Sequence, residues 1–346
     1  MKFRLKSRKP IETKWLAKNS RFKSYLEVLS VMFFIFIWVV LPIMCLWVPF
    51  YLLKTKWWFL VPSYAVWFIY DLRTPRRGSR PWKWLREHQL WRHFADYFPL
   101  KLIKTAELSP ERNYIIGSHP HGMFSIGGFT SMATTATGFH KKYPGMTPHI
   151  MTLNGQFYFP LRREFGMLLG GVEVSKESLE YLLTRKEKGK VCTIVVGGAM
   201  EALEAKPDTY ICVLKNRKGF CKYAIMYGAD LVPMYNFGEN DLYEQYDNRK
   251  GTVIREVQEK ICKVWGLCPP FLRGRSILNQ YMIGLLPFRK PITSVIGKPI
   301  RVTQCDSPTQ EQIDELHAKY CESLYKLFED HKHRHNIASD VHLEFQ

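Results

Sequence analysis

From Val28 to Leu53 the chain runs 26 residues without a formal charge, and no other feature constrains its fold as strongly. About 20 such residues span the hydrocarbon core of a bilayer as a helix. Lys54 and Lys56 interrupt the run, and a second apolar stretch, Trp57 to Tyr70, follows with 14 residues, short for a span on its own. Charge brackets the whole region. Of a formal net charge of +19, residues 1–24 carry +8 and residues 71–92 carry +5. Basic flanks on both sides place both in the cytosol, so residues 28–70 read as a membrane hairpin. Pro42, Pro49 and Pro62 are positioned to bend it, and Trp47, Trp57, Trp58 and Trp67 to belt it at the interface. A shallower hairpin that enters one leaflet without crossing satisfies the same pattern. The chain thus divides into a basic cytosolic N-terminus (1–27), a hairpin (28–70) and a body (71–346).

This distribution also excludes partners. Positive charge concentrated beside an apolar segment is membrane patterning, which argues for membrane lipids and against nucleic acid. The eight cysteines form no CxxC pair and no compact secreted framework; several lie in apolar runs, as small hydrophobes do in a reducing compartment.

In the body, short β-like runs (113–118, 149–153, 190–196, 210–214, 231–235) alternate with helical patterns (123–137, 175–188, 216–227, 241–263, 308–332). Alternation of this kind predicts an α/β fold with a mostly parallel central sheet flanked by helices. In such folds reactive residues gather where strands end. There the sequence places His119-Pro120-His121-Gly122, Gly197-Gly198-Ala199-Met200-Glu201, and a basic group of Arg217, Lys218 and Lys222 around Gly219.

Each cluster has a chemical reading and a plainer one. A histidine at a strand end titrates near neutrality and suits a general base, His121 ahead of His119; the plainer role of holding a turn fits His119 more readily than His121. Gly122 lets its amide approach an oxyanion. Glu201 could orient a catalytic imidazole, or be a first-turn glutamate favoured by the helix dipole. The basic group suits phosphates, or is a solvated face. An HxH pair could be half of a metal site, but convincing further ligands are missing, and no metal is expected. No GxSxG elbow is present, which argues against an α/β-hydrolase.

The segments HPHG, PLRRE (160–164), VVGGAMEAL (195–203), RKGFCKYAIMYGADLVPMYNFGEN (217–240) and DYFP (96–99) resemble the type 2 diacylglycerol acyltransferase family, which also includes monoacylglycerol acyltransferases and wax synthases. The likeness covers roughly residues 25–335. It implies an acyl-CoA donor as substrate with no separate cofactor, and a lipid alcohol as acceptor, diacylglycerol first. It implies an endoplasmic-reticulum membrane location, with the catalytic body facing the cytosol, and lipid droplets as a further site. It assigns His121, Glu201 and His119 to catalysis, and Arg163, Arg217, Lys218 and Lys222 to acyl-CoA. More remotely the motif order is similar to glycerolipid acyltransferases with a His-x4-Asp dyad. That aspartate is missing here, since Phe124 follows His119 by five and Ile126 follows His121 by five. Glu201 becomes the expected carboxylate partner of His121, with Glu164 and Glu239 in reserve. A non-catalytic hairpin protein that shapes membranes accounts for residues 1–92 but not for the body. Homo-oligomerisation is left open.

Overall fold

The computed structural model describes residues 21–245, 248, 250–265, 272–276 and 283–346. Most of the expected basic N-terminus, residues 1–20, lies outside the described residues, as does Cys268.

Helix α1 (Arg21–Ile35) continues through a π-helical turn (Phe36–Val40) into α2 (Leu41–Met44). Together, Phe22–Met44 is long and apolar enough to cross a membrane by length and composition, and no other described helix is. Its two faces differ. Phe22, Tyr25, Leu29, Phe36, Val40 and Ile43 recur at helical spacing and are exposed, whereas Glu27, Val31, Phe34, Ile35 and Leu41 are buried against the body. Phe34 meets Phe94 at 4.9 Å and Phe129 at 5.1 Å between ring centroids. Short helices α3 (Val48–Leu53) and α4 (Leu60–Tyr70) then form a second hairpin arm pair with no buried residue in either. So the apolar region is helical and turns at Lys54–Phe59. Its first helix, however, is half embedded in the protein, with one face packed against the body.

Helices α5 (Lys83–Glu87) and α6 (Gln89–Tyr97) connect this region to the body, α6 burying Trp91, Phe94 and Tyr97. The strands are β1 (Lys101–Lys104), β2 (Tyr114–His119), β3 (Thr147–Thr152), β4 (Gly171–Glu173), β5 (Lys190–Ile194), β6 (Ile211–Cys212), β7 (Asp230–Phe237), β8 (Glu244–Gln245), β9 (Leu272–Arg275), β10 (Ile283–Gly284), β11 (Thr293–Ile296) and β12 (Glu344–Phe345). Seven build the central sheet in the order β1-β11-β7-β2-β5-β3-β4, parallel throughout except where β11 meets β7. The mostly parallel sheet is therefore as expected. The 210–214 run is not part of it: β6 pairs with β12 beside the sheet. Strands β1, β4 and β11 lack a sequence signal because they are only three or four residues long.

Helices cover both faces, as a parallel sheet requires. On β2, Ile115 faces a core formed with α10 (Lys176–Leu183), α12 (Gly219–Tyr227) and α14 (Gln310–Lys332), whereas Tyr114 and Ile116 face α7 (Ile126–Ala133) and α8 (Phe139–Lys142). Ser175 caps α10, and Thr309 with Gln312 closes a capping box on α14. Helix α9 (Arg162–Leu168) follows β3, α11 (Gly198–Ala202) follows β5, and α13 (Val253–Trp265) is shorter than the 241–263 pattern.

Two buried ion pairs fasten the apolar helices to this body. Glu27, fully buried in α1, meets Arg289 at 2.5 Å. At the end of α4, Asp71 receives Arg163 at 3.0 Å and Arg80 at 2.7 Å, while Arg163 also donates to the Asp71 carbonyl at 2.9 Å. Removing one partner of a buried pair leaves the other charge desolvated, a loss of about 3–5 kcal/mol. Asp71→Asn should therefore lose about 3 kcal/mol of stability, because Glu164 remains 3.1 Å from Arg163. Thermal unfolding followed by tryptophan fluorescence in detergent checks this; an unmoved transition would remove the anchor role.

Candidate active site

Parallel strands β2, β5 and β3 end at one edge of the sheet, and the HPHG turn leaves it from β2. Two buried carboxylates shape that turn. Glu201, at the start of α11, takes the backbone amide of His121 on one oxygen and that of Val213, at 2.8 Å, on the other. Glu239 accepts the amides of Ile126 and Gly127 at 2.7 and 2.8 Å, closing the first turn of α7. Burial pushes both acids up to about 7, against the opposing pull of those amides and, for Glu201, of the Arg217 charge.

Gly122 lies between them at φ +55°, and any side chain there would collide with Glu239. The amides of Gly122, Met123 and Phe124 have no hydrogen-bond partner among the described residues. Successive amides of this kind make an anion-binding concavity.

The two histidines differ. His121 is half-buried, and its Nδ1 lies 3.0 Å from the Gly122 carbonyl. A carbonyl only accepts, so Nδ1 carries the proton and Nε2 keeps a free lone pair. Burial lowers the pKa of the ring below its ordinary value. His119 is fully buried and its pKa is driven down to about 3 by burial, so it stays neutral. Its Nε2 lies 3.0 Å from the Tyr320 hydroxyl, which donates to the Gly117 carbonyl at 3.1 Å. Both bonds form only if Nε2 is the protonated nitrogen. Asn236 ties the turn from below, donating to the His119 carbonyl and to Ser118 Oγ at 3.0 Å each.

Several sequence expectations need correction here. Glu201 reaches His121 through its backbone and not its ring, because the carboxylate is consumed by two amides. Glu164 bonds Tyr64 and Arg163, and Glu239 bonds the start of α7, so neither reserve carboxylate backs a histidine ring. Arg163 is 1% exposed and neutralised by Asp71, which leaves no charge for acyl-CoA. Lys218 pairs with Asp314 at 2.8 Å, whereas Arg217 and Lys222 are exposed and form no salt bridge among the described residues. Tyr320 and Asn236 escaped the sequence reading. Tyr320 looks like any core aromatic of α14, and only tertiary packing brings it to His119.

His119, Glu201 and Cys212 bring potential metal-ligating atoms within 4.8 Å of one another, and are the one such group of three among the described residues. Both Glu201 oxygens are already bonded, and burial pushes the Cys212 thiol well up. The group fits a packed, internally hydrogen-bonded cluster better than an open ligand set, and His121 is not in it.

Comparison with known proteins gives a concordant picture. The family model described as diacylglycerol acyltransferase matches residues 50–346. A mouse protein named 2-acylglycerol O-acyltransferase 1 is 42% identical over 95% of this chain and 98% of its own. Human diacylglycerol O-acyltransferase 2 is 41% identical over 95% of this chain and 85% of its own. A solved bacterial 1-acyl-sn-glycerophosphate acyltransferase aligns at TM-score 0.40 and 11% identity over 89% of this chain and 97% of its own, too slight a likeness to carry an argument.

Glu201→Gln mimics a permanently neutral Glu201. Its amide group turns a donor toward one of the two backbone amides, a loss of about 1–3 kcal/mol at the turn. The wild-type rate should fall as pH drops through about 7, where the carboxylate gains a proton and can no longer accept both amides. The variant should be at least about tenfold slower at pH 8 and lack that limb. A pH–rate series from 6 to 8 checks it, and full activity with the limb intact would refute the role.

Proposed function

The chain belongs to the diacylglycerol acyltransferase family, and from that membership we propose that it transfers a fatty acyl group from acyl-CoA to a glyceride hydroxyl, making neutral lipid. The single observation carrying this reading is the family match along residues 50–346, which includes every catalytic candidate. Diacylglycerol is the first acceptor to test. A 2-acylglycerol is the second, because a relative of that name aligns along almost its whole length.

The site chemistry is consistent with direct transfer. His121 Nε2, with its lone pair free, takes the proton of the acceptor hydroxyl as the oxygen attacks the thioester carbonyl. The tetrahedral oxyanion faces the unbonded amides of Gly122, Met123 and Phe124. CoA departs as the thiolate and is protonated by the His121 imidazolium. Acyl-CoA is already activated, so the mechanism calls on no further cofactor. Glu201 acts through position: it holds the His121 backbone. His119, neutral and tied to Tyr320, supports the turn. Arg217 and Lys222 are the cations available to CoA phosphates.

The reading places the chain in the endoplasmic-reticulum membrane, with its body on the cytosolic side and lipid droplets as a second location. The apolar helix Phe22–Met44 and the basic residues after Tyr70 support membrane attachment with that orientation.

Purified protein supplied with radiolabelled oleoyl-CoA and, separately, diacylglycerol, 2-acylglycerol and a long-chain alcohol should form ester with at least one glyceride. His121→Ala should abolish turnover without loss of expression or folding; a fully active variant would sink the mechanism. Neutralising Arg217 and Lys222 together should raise the KM for acyl-CoA about ten- to a hundredfold and leave that for the acceptor unchanged. An unmoved acyl-CoA KM returns both residues to the solvated face.

A further inference from the structure

Between β3 and α9 the chain exposes Leu153, Tyr158 and Leu161. Leu161 is 62% exposed, and its backbone sits at φ +63°, ψ −42°. A leucine pays twice there, with strained backbone and an apolar side chain in water, and such outliers mark positions held for a function. The segment is also continuous with the apolar helices. Cys45 Sγ donates to the Pro160 carbonyl at 3.4 Å, and the Arg162 guanidinium lies 5.0 Å over the Trp38 ring. Across the same edge, Trp82 precedes α5, its amide bonded to the Leu168 carbonyl, and its ring is half exposed. The segment leaves β3 at the sheet edge that carries the HPHG turn, one strand beyond β5.

We infer that residues 153–161 form a second membrane-contact element of the body, seated in the phospholipid leaflet beside the helices and admitting the lipid acceptor to the site. The occupant is the bilayer, because the exposed side chains stand beside α1–α4, to which Pro160 and Arg162 are joined by Cys45 and Trp38. The inference rests on the membrane reading of the helices and on the acyl-transfer reading for its kinetic consequence.

Two measurements on the full chain test it. In dioleoylphosphatidylcholine vesicles containing a diazirine-bearing phosphatidylcholine, photolabel should map by mass spectrometry to residues 153–161 as well as to 36–70. Label on the helices but not on 153–161 overturns this inference alone; label on neither overturns the membrane reading with it. This readout does not depend on turnover, so a failure of the acyl-transfer reading shows separately, as labelled protein without product. Kinetically, Leu161→Gly and Tyr158→Ser should each raise the acceptor KM, measured as mole fraction in the vesicle, about tenfold with the acyl-CoA KM unchanged. Glycine relieves the positive φ, so Leu161→Gly should melt no lower than wild type. A merely structural leucine would move stability and leave the acceptor KM alone, which overturns the inference. If the segment seats instead against a second copy, Leu161→Gly reduces the mass of the detergent-solubilised particle without changing that KM, and the inference is likewise overturned.

Discussion

A buried carboxylate must have its oxygens satisfied, and Glu201 satisfies its two with the amides of His121 and Val213. That double acceptance joins the end of β5 to the HPHG turn after β2 and to the residue after β6. The turn after β2 is thereby held to two segments some 80 residues further along the chain. Glu239 repeats the device one turn later, on the first amides of α7. Between the two grips, His121 projects with a lone pair free and three amides are left unbonded. The chemistry of the site is the remainder after structural bonds have been made.

The same logic sets the membrane side. Asp71 and Glu27 are buried acids whose partners, Arg163 and Arg289, belong to the body. Because these pairs are desolvated, the apolar helices and the α/β body form one packed unit and not an anchor on a tether. The helix that could cross a bilayer is one-sided, with a packed stripe and an exposed stripe. Its packed stripe meets α6 and α7 through Phe94 and Phe129. Geometry of this kind suits a reaction whose substrates are poorly soluble in water.

Much of this was legible beforehand. An uncharged run of 26 residues between basic flanks cannot be accommodated in water without burial, so the helices declared themselves. Regular alternation of strand and helix patterns led to a mostly parallel sheet. The histidines, Gly122 and Glu201 stood out because reactive types clustered at strand ends. What failed was the partnership among them. A glutamate that orients an imidazole and one that grips a backbone amide have the same local sequence.

The sequence by itself therefore determined the membrane-seeking segment and the α/β class, and it marked out the candidate residues of the site. Each depends on periodicity, charge or side-chain chemistry within a short window. Only the tertiary structure decided that Glu201 holds a backbone, that Arg163 neutralises Asp71, and that Tyr320, some 200 residues on, selects the tautomer of His119. It also decided that the first apolar helix buries one face in protein. These outcomes turn on which polar group finds which partner once water is gone, and that choice is made across the fold, between residues that the linear order keeps apart.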